Sequence, residues 1–261
     1  MVGGIYSGYQ ASQMYSAKNV LSQLPASVNN FDYKAAQRDT QKLVDQYKAG
    51  QNTVKQMKKD TAQFLDDYTG SMKKLGSAAD KLTNGKMDAL LYGKGGTVGG
   101  VPTQENIDKT AAAVGDMVKQ YNDSLTLLNK NSGRGTGVDK QLNRMAQSPV
   151  SKRSMEELGI TTQKDGTLAL NADKLKAALK ESPATARDVL GGSFGIAQNI
   201  SRSSTYGMSQ SPAALVGKDI AKMQKQQTDS NPFAQMSTYS KSGAYNTMNM
   251  NSVGVLMNMM I

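Results

Sequence analysis

The side chains that could perform acid–base chemistry in this chain are mainly carboxylates, because histidine and cysteine are both absent. Asp66–Asp67 and Glu156–Glu157 are the only adjacent acid pairs. Neighbouring residues on a helix point in different directions, so neither pair is arranged to converge on a substrate. The missing residue types also rule out Ser–His and Cys–His nucleophiles, disulfides and the commonest zinc ligands. The sequence therefore predicts no enzyme: no catalytic residue, no cofactor and no metal site.

A glycine-rich stretch, GKGGTVGGVP at residues 93–102, is the one segment that could contact phosphate. A phosphate-binding P-loop needs Gly-Lys-Ser/Thr at its end, where a helix begins. Lys94 instead precedes four of the five glycines, and no such triplet follows them. The stretch is therefore interpreted as a flexible linker and as the main boundary of the chain.

The formal net charge is +10, from 31 Lys and Arg against 21 Asp and Glu. An excess of positive charge suggests acidic partners, so a basic protein that binds nucleic acid or an anionic surface is the alternative function. The basic residues are spread along the chain, and no nucleic-acid recognition motif accompanies them. We therefore expect no specific nucleic acid. We also expect no membrane span, since no stretch reaches about 20 apolar residues, and export, if it occurs, without a cleavable signal peptide.

Residues 31–92 are predicted to form a long amphipathic helix or a helical hairpin. Apolar residues between Tyr33 and Leu82 recur at steps of mostly 3, 4 or 7, close to a heptad repeat. A stripe this narrow requires a partner helix, from this chain or from another. One rod and two helices broken at Gly50 and Gly70 remain equal alternatives. The stripe residues predicted to make self-assembly contacts are Tyr47, Val54, Met57, Phe64, Tyr68 and Leu75.

Residues 103–200 are predicted to form a compact unit around a β-hairpin at 160–170. A helix from Thr103 to Lys130 comes first, followed by a shorter one from Val138 to about Gln147. The hairpin turns at Asp165–Gly166, and Asn171 caps the helix after it. A hairpin alone is marginal in water, so its apolar face must pack on the following helix or on an earlier one. The predicted core of this unit is Ile160, Leu168, Leu170, Leu175 and Leu179.

The two ends of the chain are expected to be less regular. Residues 1–30 are predicted to be partly helical. Residues 201–261 are predicted to hold one helix, from about Ala213 to Gln227, and a flexible tail rich in Met and Asn. The expected fold is mainly α with a small β-hairpin: an elongated helical bundle or coiled-coil rod beside a compact helix–hairpin–helix unit.

From about Asn106 to Ala197 the order of these parts resembles the C-terminal region of the flagellar hook-associated protein 2 family, the filament cap. The resemblance is carried by MVKQYND at 117–123 and by ELGITTQKDGTLALNADKLKAALKESPATARDVLGG at 157–192. Only GKGGTVGG stands where family members carry a large variable domain, so the chain resembles a minimal or divergent member.

The resemblance implies a structural protein of the bacterial flagellum that self-assembles at the filament tip, outside the cell. Its partners would be copies of itself, the flagellar filament or hook-associated proteins, and an export chaperone on the C-terminal tail.

Overall fold

In a computed structural model of the protein, the structure describes residues 33–93, 100–146 and 151–231. The helices and strands in these ranges are α1 (Tyr33–Asp80), α2 (Asn84–Tyr92), α3 (Gln104–Lys130), α4 (Thr136–Ala146), α5 (Lys152–Glu157), β1 (Ile160–Thr162), β2 (Leu168–Leu170), α6 (Ala172–Glu181), α7 (Pro183–Gly191), α8 (Ile196–Met208) and α9 (Pro212–Asp229). The predicted class, mainly α with a small β-hairpin, is confirmed. The predictions for residues 1–30, for most of the glycine-rich stretch and for the tail beyond 231 lie outside the described residues.

The first helix, α1, is a single helix of 48 residues that runs through both Gly50 and Gly70. Glycine in a helix interior costs about 1 kcal/mol relative to alanine, so the sequence left a break at either position open. The structure has the rod and not the pair of shorter helices. Burial of the stripe along much of its length offsets the weak helix preference of two glycines.

The chain divides into two compact units. One contains residues 57–223, and the other contains residues 1–56 and 224–261, of which 33–56 and 224–231 are described. The unit of residues 57–223 includes segments from both sides of the glycine-rich stretch, which differs from the boundary expected at 93–102. The reason is that α2 packs along α3, and that buried side chains of α1 and α2 share one core with those of α3 to α9.

Local caps fix where several helices begin. The Thr103 hydroxyl accepts a hydrogen bond from the Asn106 amide at 3.3 Å, and the Asn171 side chain accepts one from the Lys174 amide at 2.9 Å. Pro183 follows α6 and occupies the first turn of α7, where its missing N–H costs nothing. On α7, Arg187 donates two hydrogen bonds to the carboxylate of Asp88 on α2, which ties these helices together.

Helix α8 was not predicted as a helix. Its buried residues include Ser203, Ser204 and Gly207 beside Ile196 and Ile200. After Ile200 its buried positions are occupied by serine and glycine, so the apolar part of the helical pattern is too short to identify a helix from the sequence.

Candidate assembly site

The described residues contain no group of three or more acidic, His or Cys side chains that could hold a metal ion. The adjacent acids pair locally along their own helices. Asp67 accepts a hydrogen bond from Gln63 at 2.9 Å, and Glu157 accepts one from Arg153 at 3.1 Å. Both arrangements belong to solvated helix faces.

Three of the six predicted assembly residues lie inside the core of residues 57–223. Phe64, Tyr68 and Leu75 are 3%, 1% and 0% exposed. The guanidinium of Arg134 lies 5.0 Å from the centre of the Phe64 ring, which is 5.9 Å from the Tyr68 ring. These positions are therefore covered by the chain's own elements. An apolar stripe does not by itself reveal which chain will cover it, so a role of these residues in self-assembly stays a prediction.

Helix α8 covers part of the stripe, and polar side chains form hydrogen bonds where the two helices meet. The Tyr68 hydroxyl donates to the carbonyl of Gly207 at 3.0 Å, and burial, together with nearby Tyr206, raises the pKa of Tyr68, so the phenol stays a donor. A Cβ at Gly207 would come within 2.7 Å of the Met72 sulfur. From α4, the Gln141 amide donates to the Ser203 carbonyl at 3.0 Å. The position of α8 is therefore set by Gly207, which allows close approach to Met72 of α1, and by the hydrogen bonds of Tyr68 and Gln141.

The other three predicted assembly residues, Tyr47, Val54 and Met57, differ among themselves in how far they are exposed. Val54 is 5% exposed, whereas Tyr47 and Met57 keep part of their surface accessible. In the unit containing residues 33–56 and 224–231, a Cβ at Gly50 would overlap the side chain of Ser230, so the end of α9 lies directly against α1 there.

N-terminal to this contact, three apolar side chains of α1 remain partly exposed: Leu43, Val44 and Tyr47. We call these three residues the α1 seam. Among the described residues these three lie close together on α1 and are only partly covered, which makes the α1 seam the candidate assembly site.

The hairpin unit is fixed to α3 by Asn122. Its amide nitrogen donates to the Leu168 carbonyl at 2.8 Å, and its amide oxygen accepts from the Leu168 N–H at 2.8 Å. One side chain therefore satisfies the outer edge of β2 as a third strand would. Sequence reasoning missed this role, and its one signal was a poor helix former, asparagine, inside a strongly helical stretch.

The predicted hairpin residues lie together as expected from their alternation. Ile160 pairs with Leu170, and Thr162 pairs with Leu168. Ile160, Leu168, Leu175 and Leu179 are buried, and Leu170 is half-buried against the same core. At the turn, Gly166 has a φ of 85°, a conformation that glycine adopts without strain.

Asp165 stabilises the hairpin turn by accepting from Thr167. The Thr167 hydroxyl donates to the carboxylate at 2.7 Å and the Thr167 amide donates at 3.0 Å. These bonds to the Thr167 hydroxyl and amide lower the pKa of the Asp165 carboxyl from its ordinary value. The role of Asp165 is structural, because its carboxylate accepts both hydrogen bonds within the turn itself.

A solvent-open groove of 490 Å³ runs beside the hairpin. Its lining residues are Glu156, Gly159, Thr161, Ala169, Leu170, Asn171 and Lys174. Its ionisable side chains are one carboxylate, Glu156, and one ammonium group, Lys174. Within the described ranges, no helix combines the length and the apolarity that crossing a membrane requires.

Comparison with known proteins gives one family. The family model of the flagellar hook-associated protein 2 C-terminus matches residues 136–250, which confirms the predicted resemblance. The matched region begins later and ends later than the predicted 106–197, because it includes α8 and α9 and leaves out α3. No curated protein and no solved structure matches the chain. The match supports a structural role in the flagellum.

Proposed function

Because residues 136–250 are similar to the C-terminus of flagellar hook-associated protein 2, we propose that this chain is a cap-like structural subunit of the bacterial flagellum. It assembles with copies of itself and supports filament assembly at the tip. The family match is the observation that carries this proposal.

The geometry of the compact unit supports a structural role. Residues 57–223 form a core that holds α1, α3 and α8 through buried side chains and the hydrogen bonds of Asn122 and Gln141. A preformed unit of this kind can serve as the rigid body of an assembling subunit.

The α1 seam supports self-assembly. Its residues are apolar and only partly covered, and removing them from water in an interface contributes about 25 cal/mol per Å² of apolar surface. Met57 also keeps accessible surface and remains a proposed contact residue, as does Val54 if α1 shifts on assembly. The proposed partners are further copies of this chain, filament or hook-associated proteins, and an export chaperone on the C-terminal tail. The proposed location is outside the cell.

The assembly proposal is tested with Tyr47→Asp and the matched control Gln46→Asp. Both substitutions add one negative charge to α1, but Tyr47 lies in the α1 seam and Gln46 is exposed. Size-exclusion chromatography with light scattering should show oligomers for the unchanged chain and for Gln46→Asp, and a shift to monomer for Tyr47→Asp. Far-UV circular dichroism should be the same for all three. A strictly monomeric parent at high concentration, or equal behaviour of the two variants, contradicts the proposal.

The flagellar assignment is tested by location. We expect the protein in extracellular filaments sheared from cells, and its loss should impair filament growth. Absence from sheared filaments, combined with DNA binding that weakens steeply as salt is raised, would favour the alternative of a basic nucleic-acid or anionic-surface binder.

A further inference from the structure

We propose that α9 is hinged at Val216–Gly217 and that Arg134 is the latch that holds the hinge in the observed position. Release of the latch would redirect the part of α9 that follows residue 217. This inference goes beyond the proposed function and does not depend on it.

The backbone of α9 is interrupted at Val216. Its φ of −129° and ψ of 22° lie far from helical values, so α9 consists of two helical pieces. Gly217 follows directly, and a Cβ there would meet nothing within 4 Å. Neither packing nor a positive φ requires glycine at this position. What glycine supplies beside the kink is backbone freedom, at the expense of helix stability.

The piece before the hinge is held firmly. Leu215 and Val216 are 4% and 2% exposed. A Cβ at Gly137 would come 3.1 Å from the carbonyl oxygen of Ala214, and Gly135 lies closer still to the same backbone. Two glycines at the start of α4 therefore let residues 212–216 seat directly on it, and this contact leaves no room for movement.

The piece after the hinge is held differently. Within residues 217–223, only Asp219 is buried. The Lys218 amide donates to the Arg134 carbonyl at 3.0 Å. The Arg134 guanidinium donates to the Asp219 carboxylate at 2.7 Å, with the two side chains 28% and 12% exposed. Both of these polar contacts lead to Arg134, so this residue holds the start of the second piece, while Ser230 at the far end lies against Gly50.

Arg134 is itself preorganised for this task. Its Nε donates to the Asn131 side chain at 2.7 Å, and its guanidinium lies over the Phe64 ring at 5.0 Å. The planar cation is therefore fixed between α1 and the loop after α3 before it meets Asp219. Loss of the Asp219 charge would free the second piece of α9 while the latch residue stayed in place.

The test uses the absence of cysteine from the chain, which lets two introduced cysteines carry spin labels without other changes. The labels are placed by Lys140→Cys on α4 and Lys222→Cys beyond the hinge, both at exposed positions. The parent should show one narrow distance distribution, and Asp219→Asn should broaden it or add a second distance. The control Asp123→Asn removes a carboxylate that pairs with a lysine on the surface of α3 and should leave the distribution unchanged. Adding Gly217→Ala to the Asp219→Asn variant should narrow the distribution again.

An Asp219→Asn distribution identical to that of the parent overturns the latch, and a distribution that Gly217→Ala does not narrow overturns the hinge. A second measurement on the unlabelled full chain covers the case in which Asp219→Asn fails to fold. The Lys218 amide should exchange its hydrogen at least tenfold faster than the Val138 amide, which bonds within the α4 turn. Exchange of both amides at the rate of global unfolding overturns the proposal.

Discussion

Asn122 provides a direct test of how the hairpin is held. Replacing it by alanine removes two hydrogen bonds of 2.8 Å to the backbone of Leu168. Each such bond contributes about 1 kcal/mol net, so the loss is at least about 2 kcal/mol. Leu168 is 7% exposed, and its N–H and carbonyl would be left with little access to water. That penalty raises the expected loss of unfolding free energy to between about 2 and 4 kcal/mol.

The matched control is Asn129→Ala on the same helix, at an exposed position. Both variants gain the same helix preference of alanine over asparagine, so the difference between them isolates the contact with β2. Urea unfolding followed by far-UV circular dichroism measures both values. Equal stability of the two variants would refute the reasoning, because the side-chain bridge would then contribute nothing. Hydrogen exchange should also accelerate at the Leu168 amide in Asn122→Ala and stay unchanged in the control.

Three further predictions concern other contacts. Thr167→Val removes the hydroxyl that lowers the pKa of Asp165, so an NMR titration should show the pKa of this carboxyl rising. In the unchanged chain the pKa of Asp165 is depressed by folding. The stability that this carboxylate contributes is therefore present above the unfolded-state pKa and is lost as the pH falls through the folded-state pKa. Gly70→Ala has open space around the new Cβ and should raise the unfolding free energy by about 1 kcal/mol in a denaturation assay. Gly191→Ala should lower the unfolding free energy in the same assay, because its methyl group would overlap the backbone carbonyl of Leu82 between α1 and α2. Arg187→Leu leaves its partly buried carboxylate partner on α2 without a cation and should cost about 2 kcal/mol, measured by thermal unfolding; an unchanged melting temperature would contradict this.

The hairpin and its helix could be predicted because their signals are local. Asp165 and Gly166 define the turn in which they lie, and Asn171 caps the helix that it precedes. Alternation placed Ile160 and Leu168 on one face without any knowledge of what that face contacts. Such features depend on steric and hydrogen-bonding preferences over a few residues, and these are present in any sequence window.

The contacts that orient the elements could not be predicted in this way. Arg134 meets Asp219 across 85 positions of sequence, and Asn122 meets Leu168 across 46. Polar residues with such roles look the same in a sequence as residues on a solvated surface. The stripe of α1 shows a related difficulty. Its period predicts that one face of the helix is covered, but the period does not say by which chain, and Phe64 is covered by the chain itself.

The family model matches the chain from Thr136, the first residue of α4, yet α4 and α8 meet Met72 of α1, and α6 packs on α3. A fragment trimmed to residues 136–250 would expose these apolar faces and should aggregate. Limited proteolysis of the intact chain should instead leave a resistant core that retains α1 residues from about 57 onward. The residues that the family model matches and the residues that fold as one unit therefore begin at different positions in this protein.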